Sequence, residues 1–128
     1  MINDPVAGGF TDQGSLTPDN LFAGDLPRST KMVTITGAAA LAKGTVLGRI
    51  AASDKYLKSL SASADGSQVP KAVLAADADA SGSDVLAPIY FTGEFNEDAL
   101  VLGAGHTLAS IRDGLRQMGI FLKKIVPA

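Results

Sequence analysis

Between residues 41 and 95 the apolar residues come in short clusters, each cut off by a turn signal before a helical period can establish itself. Val46, Leu47 and Ile50 form one run, and Tyr56, Leu57 and Leu60 form the next, with Ser53-Asp54 between them. That break predicts a hairpin or corner joining two short strands. Asp65-Gly66 is a second turn signal, because glycine accepts positive φ without steric cost, and it precedes a strand expected over residues 71–76. A chain punctuated this closely is restricted to short strands, and hence to a small, mainly β architecture.

The same reading extends on both sides. Met32, Val33 and Ile35, with Thr34 and Thr36 between and after them, predict a strand that runs into Gly37, and residues 38–42 make a short connection. Residues 86–92 read as another strand. Pro88 lies inside it and lacks a ladder donor, so this strand is expected at a sheet edge or to begin at Ile89. An edge is also where another chain can pair.

Only one stretch has helical periodicity. Leu108, Ile111, Leu115 and Met118 recur at spacings of three, four and three, which puts them on one face. Thr107 is the expected N-cap, Arg112 and Arg116 favour the C-terminal half, and Gly119 can close the helix with a left-handed residue. Gly114 weakens the pattern. Residues 120–126 then read as a final strand ending at Pro127.

The first 29 residues contain Pro5, Gly8, Gly9, Gly14, Pro18, Gly24 and Pro27, too many breakers for either period. They nevertheless carry Val6, Phe10, Leu16, Leu21, Phe22 and Leu26, more apolar side chains than a solvated tail needs. The expected organisation is an extended N-terminal arm over residues 1–30 and a β-rich domain over residues 31–128. The arm either packs on its own domain or docks on a partner. Phe10, Leu16, Leu21, Phe22 and Leu26 are the candidate contact residues.

Composition removes several classes of function. A chain of 128 residues fits one domain, and with 5% aromatic residues and no Trp its core must be built from Ala, Val, Leu and Ile. Net charge is −2 and no run of Lys or Arg forms a basic stripe, so nucleic acid is not an expected partner. With no Cys there are no disulfides or thiolate ligands, and with one His a nitrogen and sulfur zinc site is excluded. No apolar run approaches the roughly 18 residues of a membrane span, and the N-terminus has no signal-peptide pattern, so neither membrane insertion nor secretion is expected.

The remaining chemical motifs are weak. Residues 77–88 open like a calcium loop, with Asp77, Asp79, Ser81 and Gly82 in place, but the twelfth position is Pro88 where a bidentate carboxylate is required. His106 sits before the helix with no Gly-x-Ser-x-Gly nucleophile anywhere in the chain. Gly103 and Gly105 lack the rest of a phosphate-binding signature and read as a loop hinge. Glu94, Glu97 and Asp98 read as surface charge. Two alternatives stay open: a biotinyl- or lipoyl-like carrier using Lys55 at a hairpin turn, and a small enzyme or ligand-binding β domain using Glu94, Asp98 and His106.

The order of features resembles the lambda-type phage head decoration family over residues 30–128. The matching elements are Gly-Thr-Val-Leu-Gly at residues 44–48, the Asp65-Gly66 turn, Ala-Val-Leu at residues 72–74, Gly-Glu-Phe-Asn at residues 93–96 and Leu-Arg-Gln-Met-Gly-Ile-Phe-Leu-Lys at residues 115–123. The resemblance implies a mixed α+β, mainly β fold with a compact, small β-barrel-like core and one C-terminal amphipathic helix. It further implies a homotrimer on the outer surface of an icosahedral phage head, bound to the major capsid protein and stabilising the expanded shell. Such a protein is made in the host cytoplasm and ends in the virion. It needs no catalytic residue, cofactor or metal.

Overall fold

The computed structural model describes residues 21–24 and 28–124. Ten short elements follow one another: β1 (Thr30–Ile35), β2 (Ala40–Leu41), β3 (Val46–Arg49), β4 (Tyr56–Lys58), β5 (Pro70–Leu74), β6 (Ala78–Asp79), β7 (Val85–Tyr90), β8 (Gly93–Asn96), α1 (Leu108–Gln117) and β9 (Ile120–Lys123). A 3-10 turn, Glu97–Ala99, follows β8. The fold is mainly β with one C-terminal helix, as the sequence leads one to expect.

Five strands close into a barrel in the order β1-β4-β3-β5-β7. The Ser53-Asp54 break is the turn of the β3–β4 hairpin, in which Leu47 faces Lys58 and Arg49 faces Tyr56. Asp54 takes a left-handed φ of 59°, a conformation Asp tolerates better than most residues because its short side chain bonds locally. The connection expected over residues 38–42 contains a further short strand, β2, paired antiparallel with β6.

Pro88 departs from expectation. β7 runs unbroken through it and lies between β1 and β5, not at an edge. The ladder explains the tolerance. Phe91 N–H donates to the Ser29 carbonyl (3.0 Å), which by strict alternation makes the Met32–Pro88 pair a non-hydrogen-bonded one on the β1 side. Toward β5, Pro88 lies one residue beyond the last paired position, Ile89, where its carbonyl accepts from Ala75 N–H (3.0 Å). The N–H that proline lacks would face the Ala75 carbonyl, beyond the last paired position, so no paired position of the β5–β7 ladder loses a bond.

The strands are buried on both faces because the barrel has an inside and a partly covered outside. Val33, Ile35, Leu47, Ala72, Leu74, Ala87 and Ile89 fill the interior. Alternate residues of two of these strands, Val46 and Val73, point outward into a second core with Phe95, Ile111, Leu115, Ile120 and Leu122. Phe95 is fully buried at its centre. The helix stripe read from the sequence is the layer that covers this second core.

Local chemistry fixes the helix ends. Thr107 Oγ1 accepts from Ser110 N–H (3.1 Å) while Ser110 Oγ accepts from Thr107 N–H (2.9 Å), a reciprocal cap. Gly119, at φ 87°, turns the chain from α1 directly into β9, which pairs in parallel with β8 from Ile120↔Gly93 to Lys123↔Asn96. The strand expected to reach Val126 ends at Lys123, and residues 125–128 lie outside the described residues.

Candidate docking site

Residues 21–24 are the only described part of the expected arm up to the gap at 25–27, and they pack on the domain. Ala23 N–H donates to the Glu94 carbonyl (3.0 Å), Asn96 N–H donates to the Leu21 carbonyl (2.6 Å), and Phe22 bridges antiparallel to Phe95. The segment thus lies along the edge of β8 opposite β9.

Its side chains are committed to the second core. Leu21 is 2% exposed and belongs to the domain's own packing. Phe22 is half-buried, with its ring 5.1 Å from Tyr90 and 5.6 Å from Phe95, and the Arg28 guanidinium lies 3.7 Å above it. Arg28 gives no signal in the sequence, since nothing in its spacing marks it as the cover of an aromatic ring. Phe10, Leu16 and Leu26 lie outside the described residues. Lys123 closes the same region by pairing with Glu94 (2.6 Å).

Most of the residues that invited chemical readings are held in structural roles. Ser59 Oγ lies 3.0 Å from His106 Nε2 and 2.7 Å from the Ser67 carbonyl. A carbonyl can only accept, so the single hydroxyl proton of Ser59 goes to Ser67 and His106 Nε2 must carry a proton and donate. In this arrangement the imidazole, as donor, holds the Ser59 hydroxyl, a structural contact rather than the base-to-nucleophile bond of a triad. Gly103 backs the network, since a Cβ there would lie 1.9 Å from the Ser59 carbonyl oxygen.

Most of the acidic groups are likewise engaged, while Asp98 takes part through its N–H, which donates to Asn96 Oδ1 (3.1 Å). Asp77 accepts from Lys43 N–H (2.8 Å), and Asp79 accepts from both Ser81 N–H (3.0 Å) and Ser81 Oγ (2.5 Å), which lowers its pKa. Asp84 turns away from both to Lys55 Nζ (2.7 Å) and Thr36 Oγ1 (2.7 Å), and the Lys55 bond followed by the Thr36 bond lowers its pKa. Lys55 is therefore ion-paired at its turn. Glu97 pairs with Arg112 (3.2 Å), whose other nitrogen donates to the Leu122 carbonyl (2.8 Å), tying helix to strand. Among the described residues no three His, Asp or Glu side chains gather into a metal-sized cluster.

What the geometry offers, then, is surface and edges around a rigid barrel, with an N-terminal segment rooted on β8. The model of one protein family, bacteriophage lambda head decoration protein D, matches residues 11–121 of this chain. That span begins inside the arm and reaches β9, so it takes in the arm root, the whole barrel and the helix. No individual curated protein matches the chain. The family is one of structural capsid decoration proteins of the phage head, found in the virion. With its closed barrel, capped C-terminal helix and a match over most of its length, this chain belongs to the bacteriophage lambda head decoration protein D family.

Proposed function

We propose that this protein binds the outer surface of an icosahedral phage head as a homotrimer and stabilises the expanded shell by linking neighbouring major capsid proteins. The observation that carries this reading is the family match over residues 11–121. The seating of residues 21–24 on β8 supports it, because it gives whatever precedes Leu21 a fixed starting point on a rigid barrel.

In this reading residues 1–20 and 25–27 supply the capsid contacts, with Phe10, Leu16 and Leu26 as the apolar anchors. A cyclic trimer presents three such segments at once, so individually weak contacts gain through effective concentration. Backbone pairing with a strand edge of the capsid protein supplies affinity, and the apolar side chains supply fit. The task requires no catalytic residue, cofactor, nucleic acid or membrane. The engagement of the Lys55 ammonium by Asp84 counts against a carrier role for that lysine.

The test is co-sedimentation of the protein with expanded capsids that lack it, together with sedimentation equilibrium of the free protein and electron microscopy of decorated particles. Saturable binding in groups of three on the outer surface, with raised resistance of the shell to heat, is the expected result. Failure to bind, or binding as monomers scattered over the shell, overturns the reading.

A further inference from the structure

One edge of the barrel is less closed than the strand order implies. β1 pairs with β7 along its whole length but with β4 only at Ile35↔Tyr56. The alternation set by Phe91 N–H to Ser29 and by Thr36 N–H to Tyr56 (2.9 Å) turns the N–H groups of Thr30, Met32 and Thr34 toward the β4 side. No strand stands opposite them there among the described residues. A half-open strand of this kind is a template for pairing.

Beside this edge run two hollows of about 420 and 440 Å³ that meet at Lys31 and Tyr56. The first has an apolar floor of Ile89, Phe91 and Met118 with Lys31 and Lys71 at its rim. Neither lysine has an ion-pair partner among the described residues, whereas Arg49 in the second hollow is paired with Asp54. The groove therefore carries two uncompensated positive charges above apolar surface, next to unpaired backbone donors. It fits an extended segment that is acidic and apolar together.

This chain contains such a segment. Residues 1–20 include Asp4, Asp12 and Asp19 and no Lys, Arg or His, and they carry Ile2, Val6, Phe10 and Leu16. Twenty extended residues reach about 65 Å, several times the roughly 13 Å radius of gyration of a domain this size, so a segment rooted at Leu21 can reach the β1 edge of its own barrel. We propose that in the free protein the acidic segment of residues 1–20 lies along the open edge of β1 of the same molecule, with its carboxylates at Lys31 and Lys71. This goes beyond capsid docking and does not depend on it. If both hold, the capsid competes with the groove for one segment.

The full chain allows a direct test because it has no cysteine. A nitroxide attached at Gln13→Cys is expected to broaden the amide signals of Thr30, Met32 and Thr34, and the broadening should fade in Lys31→Glu/Lys71→Glu and in high salt, which screens the pairing. Hydrogen exchange at Met32 is expected to quicken by about tenfold in Asp4→Asn/Asp12→Asn/Asp19→Asn, since surface opening equilibria respond to lost docking. Absence of broadening at β1 overturns the proposal, as does broadening centred elsewhere on the domain. Broadening seen in a mixture of spin-labelled and isotope-labelled molecules overturns it as well, because the segment then comes from a second copy. These readouts use no capsid, so failure of the capsid reading leaves them intact.

Discussion

His106 Nε2 and Ser59 Oγ stand 3.0 Å apart across 47 positions of sequence, and the bond joins the loop before α1 to the end of the β3–β4 hairpin. Ser59 is fully buried, so removing its donor leaves a buried oxygen short of one partner. His106→Ala is expected to lower stability by about 1 to 2 kcal/mol, the cost of an unmade buried hydrogen bond. Urea denaturation measures it. An unchanged midpoint would mean that water replaces the imidazole.

Glycines in and around α1 act in opposite directions. Gly119 holds a φ of 87° and a Cβ there would meet Thr92 Cγ2 at 3.4 Å, so Gly119→Val forces a β-branched residue into left-handed space. A loss of about 1 to 2 kcal/mol is expected from that conformation alone. Gly114 lies mid-helix and exposed, with nothing within 4 Å of its missing Cβ. Gly114→Ala should therefore raise stability by about 1 kcal/mol. Thermal unfolding of the two variants side by side separates a closing glycine from a merely tolerated one.

These contrasts show where the sequence was legible. Gly119 stood just past an apolar stripe, so its role followed from periodicity, and the strands around Asp54 and Gly66 followed from turn chemistry. Pro88 misled because the rule for proline concerns donors, and which donors a strand must supply depends on a register no local pattern contains. Leu21 and Phe22 could not be placed for a related reason. Breaker density correctly denied them a regular element, but their partner, Phe95, lies over seventy positions away and could not be chosen from composition. The Ser59–His106 bond was invisible for the same reason of distance.

The root of the arm should behave as part of the fold. Leu21 is 2% exposed in the second core, so Leu21→Ala is expected to cost about 2 to 5 kcal/mol by lost burial and an unfilled cavity. Phe22→Ala removes a half-buried ring from contact with Tyr90, Phe95 and Arg28 and should cost less. Substituting Phe10 and Leu16 with Ser, by contrast, is expected to reduce co-sedimentation with capsids while lowering the denaturation midpoint far less than Leu21→Ala does. A loss of stability from the Phe10 and Leu16 pair as large as that from Leu21→Ala, or none from Leu21, would relocate the boundary between arm and domain.

Stability should fall on the acid side for identifiable carboxylates. Asp65 is held below the usual carboxylate value of 3.8, first by the Ser67 hydroxyl and then by the Ser67 N–H, and Asp84 is held below it by Lys55 and then Thr36. A group whose pKa is lower in the folded than in the unfolded state contributes stability that is fully present above the unfolded value. That contribution is lost as pH falls through the folded one. The unfolding midpoint is therefore expected to hold steady at neutral pH and to decline as pH drops below about 4, where unfolded carboxylates begin to bind protons. Asp65→Asn and Asp84→Asn should each flatten part of that decline, because the amide cannot titrate, while lowering the neutral-pH plateau by removing the favoured charged form. Both carboxylates are exposed, so each effect is small and screened by salt. Denaturation midpoints measured from pH 7 to pH 2 at low salt resolve the two; an acid limb unchanged in both variants would place the responsible carboxylates elsewhere.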